Sequence, residues 1–267
     1  MSVSIEQAVA AVAALPRLQP PVRPGGLAAL DDPAAPALAP APQPSGSAAT
    51  VGNSLVSFTS EVSPTHATEL QYAVGFAQLH AVQTGGFDPL KDPLDYFKYV
   101  QNMLTNIGFV GQGYAFSDFS LATATVQLDQ VVLQVLGGLL TADALAVATS
   151  AVKALEDSAD SGGAPWTIFS SHSQSTNQGT FSLGTANETN GQVALKISAF
   201  QMTGAEETDK FLWASYSSTS LSIQYADTTL TLNDNLWNSP GVGDTVTSQM
   251  QALSAGYIAG LPPLKPA

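Results

Sequence analysis

Three histidines, a field of carboxylates and one serine–histidine neighbour pair are the residues of this chain whose types could do chemistry. His66 and His80 fall in one predicted helix and share a face, but at 1.5 Å rise per residue they stand about 21 Å apart, too far to share a metal ion. No histidine pair has the i,i+4 or HExxH spacing of a zinc site. Ser170-Ser171-His172 sets a nucleophile type beside a base type, but WTIFSS reads as a strand, and strand neighbours point to opposite faces. No GxSxG elbow occurs. The glycine-rich FVGQGYAF has no Lys-Ser/Thr after it and no dinucleotide spacing, so it is not a phosphate loop. Asp157, Asp160 and Gly162 fit positions one, four and six of a calcium loop, but the later acidic ligand is missing. There is no cysteine, which removes thiol catalysis, thiolate metal sites and disulfides. No carboxylate sits in an apolar run that would mark a raised pKa. A hydrolase therefore stands only as a third reading, needing a cleft with two acids or a Ser/His pair. The expectation is a non-enzymatic protein without metal or cofactor.

What remains is a set of aromatics. Trp166, Phe169, Phe200, Trp213 and Tyr216 lie among Ser and Thr in the C-terminal half. Aromatics beside hydroxyls on a sheet can grip sugars or sit at a lipid interface, although core packing is their commoner role. These five are the candidate membrane- or partner-binding residues. Charge narrows the partner. The chain has 8 basic and 21 acidic residues, a net charge of −13. That excludes nucleic acid, which needs a Lys/Arg footprint, and argues against electrostatic docking on anionic lipid. Charged residues are only 11% of the chain, so the surface is mostly uncharged hydroxyls and amides.

The elements that would position these residues follow from periodicity. Residues 2–15 predict a short helix with Ala8, Val9, Val12 and Leu15 along one stripe, ended by Pro16. Residues 16–50 hold nine of the 17 prolines and no aromatic, so the segment 1–50 is read as a flexible, disordered Pro/Ala-rich tail. Order is expected from Val51, with NSLVSFTSEV as a strand or lead-in. Ser63-Pro64 predicts a helix start, and the helix running through Glu69–Val82 is apolar on two faces, as a helix buried between layers must be. Asp92-Pro93 opens the next helix, with Phe97, Val100, Leu104 and Ile107 on one stripe. Two further helices are expected at about 120–137 and 142–157, forming a hairpin with few charges and Thr141 as the second cap. From Trp166 the period changes to two. WTIFSS, TFSLGTA, VALKISAFQM, FLWASYSS, LSIQYA and TLTLN read as strands. They are joined by turns at Asn187–Gly191, Gly204–Asp209 and Ala226-Asp227, giving an antiparallel meander. One sheet face is expected to be apolar under helices and the other rich in Ser and Thr. A last helix is expected over 244–258.

The order of a helical half, the VLQVLGGLL helix, and a sheet opened by Trp166-Thr167-Ile168-Phe169 and Asn177-Gln178 resembles the Cyt-type cytolytic delta-endotoxins and the related mushroom cytolysin volvatoxin. The resemblance spans residues 65–233. It implies one α/β domain with helical hairpins on both faces of a sheet. It also implies a non-enzymatic activity of binding phospholipid, self-associating and permeabilising membranes, with helices moving aside so that long strands meet the bilayer. The Pro/Ala segment to residue 50 departs from that pattern.

The chain is accordingly expected to be an α+β protein with α/β/α layers and a mainly antiparallel C-terminal meander of about 5–6 strands. Residues 1–50 form the flexible segment and 51–267 one domain, divided into a mainly helical half (51–160), the sheet (161–233), and a closing helix and tail (234–267). The leading function is that of a membrane-active, pore-forming, cytolysin-like protein. The alternative is an interaction module or delivered effector recognised by delivery or secretion machinery through residues 1–50. The N-terminus lacks the basic region of a signal peptide, and no apolar stretch of about 18 residues predicts a membrane span. Synthesis in the cytoplasm, followed by release or delivery outside the cell, is expected.

Overall fold

A computed structural model describes residues 5–20, 46–205 and 208–264. The chain begins with α1 (Ile5–Ala13), then β1 (Ser47–Val51), β2 (Ser54–Phe58), α2 (Pro64–Gln83), α3 (Pro93–Asn106), β3 (Phe109–Gly111), β4 (Ser117–Asp118) and β5 (Thr125–Gln127). Next come α4 (Leu128–Leu139), α5 (Ala142–Ser161), α6 (Ala164–Ser173), β6 (Gln174–Ser175), β7 (Asn177–Thr189), β8 (Gln192–Ala205) and β9 (Ser215–Ser217). It closes with β10 (Ser222–Leu232), α7 (Asp234–Trp237), α8 (Gly243–Leu253) and β11 (Ile258–Gly260).

The main sheet runs β11-β1-β2-β7-β8-β10-β3, with β4 also on β10 and β6 on β7. All pairs are antiparallel except β2 with β7, which is parallel. Helices cover both faces, so the protein is an α+β fold in α/β/α layers.

Local chemistry sets the boundaries. Ser63 caps α2, its hydroxyl accepting from His66 N at 3.2 Å, and Pro64 occupies the first turn, where its missing N–H costs nothing. Thr141 caps α5 through Ala144 N, and Gly162 ends it in the left-handed region at φ 65°. Asn190 and Gly191, both at positive φ, form the two-residue turn between β7 and β8, which is why the long hairpin folds there.

Several expectations are corrected. WTIFSS is not a strand but part of α6. Gly163 and Pro165 start a helix, and Trp166, Phe169 and Ser173, spaced three and four apart, bury one helical face. FLWASYSS forms turns and only the three-residue β9, because Phe211, Leu212 and Tyr216 fold inward at irregular spacing. There is no turn at Ala226-Asp227. β10 runs straight through it, paired residue by residue with β8. The helix expected from about 120 begins at Leu128, after β5. The closing helix stops at Leu253, and Ile258–Gly260 adds an edge strand to β1 instead. The first strand starts at Ser47, ahead of the expected boundary, and α1 buries Ala8 and Val12 in the core. Residues 21–45, the bulk of the Pro/Ala segment, lie outside the described residues. Asp92 occupies the cap position of α3, but its side chain makes no cap bond.

The sheet does not have one apolar and one polar face. Its apolar side crosses over partway along the strands. Val193, Leu195, Ile197 and Ala199 of β8 face the α2/α3/α8 layer, while Phe200 and Met202 face the α4/α5/α6 layer. On β10, Ile223 faces the second layer and Leu230 and Leu232 the first. On β7, Phe181 and Leu183 face the second and Ala186 the first. Strict alternation would need apolar residues two apart throughout. The adjacent pair Ala199-Phe200 shifts the phase.

Candidate functional site: a helical hairpin over an aromatic core

The five candidate aromatics end up in one region. Trp166 stacks on Phe211 with centroids 5.7 Å apart and touches Trp213 at 5.3 Å. Phe169 stacks on Phe211, and Phe181 on Phe200 at 5.3 Å. The Tyr216 hydroxyl donates to Phe211 O at 2.9 Å. Trp166, Phe169, Phe200 and Tyr216 are buried and Trp213 is half-buried. The expected aromatic surface is therefore interior in this fold. Sequence reasoning missed Phe181 and Phe211, which join the candidates together. Phe211 carried no signal because it lies in a turn, and the strand pattern around Phe181 did not say which layer it meets.

The α4–α5 hairpin roofs this cluster. Leu128, Val131, Val132 and Leu136 of α4 and Ala148, Ala151, Val152 and Leu155 of α5 point down into it. Leu133, Val135, Leu139, Leu140, Leu145 and Val147 are only half-buried. The base of the hairpin is tied to the body by Gln127 Nε2 donating to Trp213 O at 3.2 Å and by Asp129 N donating to Leu212 O at 2.9 Å. An ion pair between Lys210 and Asp160 adds to it. Burial pushes the Asp129 carboxyl above its ordinary range, and the nearby Glu156 charge adds to the push.

At the opposite end the α4–α5 turn stands off the sheet over a cleft of about 310 Å³. Lys196 crosses it from β8, its Nζ donating to Leu139 O at 3.0 Å at the C-terminus of α4.

The titratable groups of the first core are structural. His66 Nδ1 meets Glu188 Oε2 at 2.9 Å, and Glu188 also accepts from Ser63 N at 2.9 Å. Burial pushes the Glu188 carboxyl up, but these bonds outweigh it and hold the group below its usual range. His80 is fully buried, packs on Phe76 at 4.4 Å and has no partner at Nε2 among the described residues. Burial alone lowers its pKa to about 4.

Ser171 and His172 are helical neighbours, with Ser171 Oγ and His172 Nδ1 3.1 Å apart. The same nitrogen lies 2.7 Å from Ile168 O, an acceptor, so it carries the proton and cannot take one from Ser171. The calcium reading of Asp157, Asp160 and Gly162 gives way to a helix end, with Asp160 paired to Lys210 and Gly162 as the cap. Among the described residues no group of three His, Asp or Glu could hold a metal ion.

No family model matches the sequence, and no curated protein matches it. Among solved structures the chain is similar to a delta-endotoxin at 13% identity, covering 81% of this chain and 98% of that one with a TM-score of 0.44. It is also similar to the activated Cyt2Ba monomer from Bacillus thuringiensis subsp. israelensis, at 14% identity, 68% and 98% coverage and a TM-score of 0.41. A third is the Evf virulence factor, at 10% identity, 73% and 75% coverage and a TM-score of 0.36. The structural neighbours thus include Cyt delta-endotoxins, the group named from the order of elements in the sequence. These are likenesses of chain path at low identity, and the function proposed below rests on the residues of this chain.

Proposed function

We propose that this protein is a non-enzymatic, membrane-active, cytolysin-like protein, released from the cell that makes it, whose α4–α5 hairpin leaves the sheet for a lipid surface. One observation carries the reading. Residues 130–152, the stretch of the hairpin around its turn, contain a single charged side chain, Asp143, and the other charges of α4–α5 are confined to its base, while its apolar face roofs an aromatic core. In water the roof stays closed. Exposing a buried Leu or Val costs about 1.5–3 kcal/mol, so uncovering the four buried residues of α4 costs roughly 6–12 kcal/mol, comparable to the whole stability of a domain. Acyl chains remove that cost, because they accept the same side chains. No helix of the described residues is long and apolar enough to cross a membrane, so the hairpin would lie in the interface.

β7, β8 and β10 have 13, 14 and 11 residues, long enough to span a bilayer as tilted strands. The crossover of their apolar side leaves neither face continuously apolar, so the hairpin and the aromatic cluster are the better lipid-contacting elements. The uncovered cluster then meets acyl chains or a second copy of the chain. The net charge of −13 favours zwitterionic over anionic lipid.

The test is dye release from phosphatidylcholine and from anionic vesicles, together with quenching of single-tryptophan variants by brominated lipid. Leakage from zwitterionic vesicles is expected, with Trp166 and Trp213 quenched and Trp237, in the opposite core, shielded. A folded, monomeric protein that neither leaks vesicles nor shows quenching overturns the reading.

A further inference from the structure

We propose that Lys196 is a strap that holds the tip of the α4–α5 hairpin on the sheet, so that the hairpin opens tip first about its base. The idea rests on the membrane reading only for its consequence, since the strap is a property of the folded chain alone.

Three observations converge. The first is the crossover of the apolar side. Under the base of the hairpin the sheet presents Phe181, Leu183, Phe200 and Met202. Further along β8 the same face presents Ala194, Lys196 and Ser198, because Val193, Leu195 and Ile197 have turned to the other layer. The tip therefore overhangs a part of the sheet with little apolar surface to grip.

The second is the cleft of about 310 Å³ in that place. Leu140, Thr141 and Asp143 line it from the turn, and Thr185, Asn187 and Lys196 from the sheet. Packing that would seal the tip is replaced by open space.

The third is the bond itself. Among the described residues, Lys196 Nζ to Leu139 O is the one side-chain hydrogen bond recorded between the tip and the sheet. It puts a cation on the C-terminal carbonyls of α4, the negative end of the helix dipole. At the base, by contrast, Gln127, Asp129 and the Lys210–Asp160 pair tie the hairpin at several points. A lid hinged at several ties and held by one bond at the far end lifts at the far end.

The cleft also shows why a lysine suits the strap. Glu61, Asp143 and Glu188 line the same cleft, so a cation there has acidic company. A long flexible stem lets the ammonium follow the turn through small movements and release it in larger ones.

The experiment is hydrogen exchange, followed by mass spectrometry, on full-length Lys196→Met, Lys196→Arg and the unaltered chain. Met keeps the apolar stem and removes the donor. Arg keeps a cation of similar reach. Lys153→Met is the control, because among the described residues Lys153 pairs only with Glu156 and Asp157 of its own helix. In Lys196→Met, amides of residues 133–147 are expected to exchange about five- to tenfold faster, the loss expected for one hydrogen bond to a charged group at a partly exposed site. Amides of α2 should be unchanged, Lys196→Arg should restore most of the protection, and Lys153→Met should leave the tip unchanged. Equal exchange at 133–147 in Lys196→Met and the unaltered chain overturns the strap. So does faster exchange spread evenly over α2 and the tip, which would mark a general loss of stability. If the tip loosens as expected but no variant leaks vesicles, the strap stands and the membrane reading falls.

Discussion

The two layers of helices on this sheet are fastened in opposite ways. On one side α2 has 12 of its 20 residues buried and is wired to the sheet by polar bonds. Gln78 Nε2 donates to Ser54 Oγ at 2.6 Å, Tyr257 donates to Gln78 Oε1 at 2.8 Å, and Ser54 meets Ser182 at 2.5 Å. Tyr96 donates to Asn53, whose amide donates to Thr180 O. At the N-terminus of α2, His66 joins the tip of β7 through Glu188. Gly52, at φ +52°, must be glycine, because a side chain there would collide with Gln78 and Tyr257. On the other side α4 rests on apolar contacts, with polar ties at its base and one at its tip. Apolar contact is non-directional and can be exchanged for lipid, whereas a buried hydrogen-bond network left without partners costs about 1–3 kcal/mol per group. The first layer is built to stay and the second can be transferred.

The largest expected effect tests whether the aromatic cluster is structure or contact surface. Phe169→Ala, at a fully buried site, should lower stability by about 3–5 kcal/mol in urea unfolding, and Trp213→Ala, half-buried, by roughly half as much. If Trp213→Ala abolishes vesicle binding with its melting temperature intact, Trp213 is a contact residue. If the melting temperature collapses instead, Trp213 is core and the two layers are more alike than their bonding suggests.

Acid should separate the layers next. His80 binds its proton less readily folded, at about 4, than at its ordinary 6.5. The unfolded chain then holds more protons between those values. The contribution of His80 is thus fully present above pH 6.5 and is lost as pH falls to about 4, amounting to about 3 kcal/mol. Stability curves measured at pH 7 and pH 4.5 should show most of that drop in the unaltered chain and a smaller one in His80→Leu.

The smallest effect has the opposite sign. Asp129 takes up its proton more readily folded than unfolded, so the hairpin layer is strengthened as pH falls through the range just above that of ordinary carboxylates. Asp129→Asn should abolish that gain in the exchange protection of α4 while leaving α2 untouched. Protection that falls with acid at α4 as much as at α2 would erase the contrast.

Much of the α2 layer was legible in the chain. Ser63-Pro64, the two apolar faces around Leu70 and Phe76, and the stripe from Phe97 to Leu104 all carry local signals, and each became the expected helix. The site was legible only in part. The hairpin could be read from about 120–157, although its first helix begins only at Leu128, and the five aromatics were named as a contact surface without any sign that they share one core. Their burial could not be read, because Trp166-Thr167-Ile168-Phe169 has strand-like residue types and becomes a helix only through Gly163 and Pro165. Lys196 read as an ordinary outward-facing residue of a strand. Its role depends on Leu139, 57 positions away.

By itself the sequence determined the Ser63 and Thr141 helix caps, the turn ending at Gly191 and the charge that disfavours nucleic acid and anionic lipid. These depend on neighbours within a few residues or on totals over the whole chain. Only the tertiary structure decided the parallel pairing of β2 with β7, the crossover of the apolar side near Phe200, the closure of the aromatics into one core and the strap at Lys196. Each of these joins residues far apart in the chain. Alternation says which residues share a face but not which layer that face will meet, and that is settled when two helical layers compete for the same sheet.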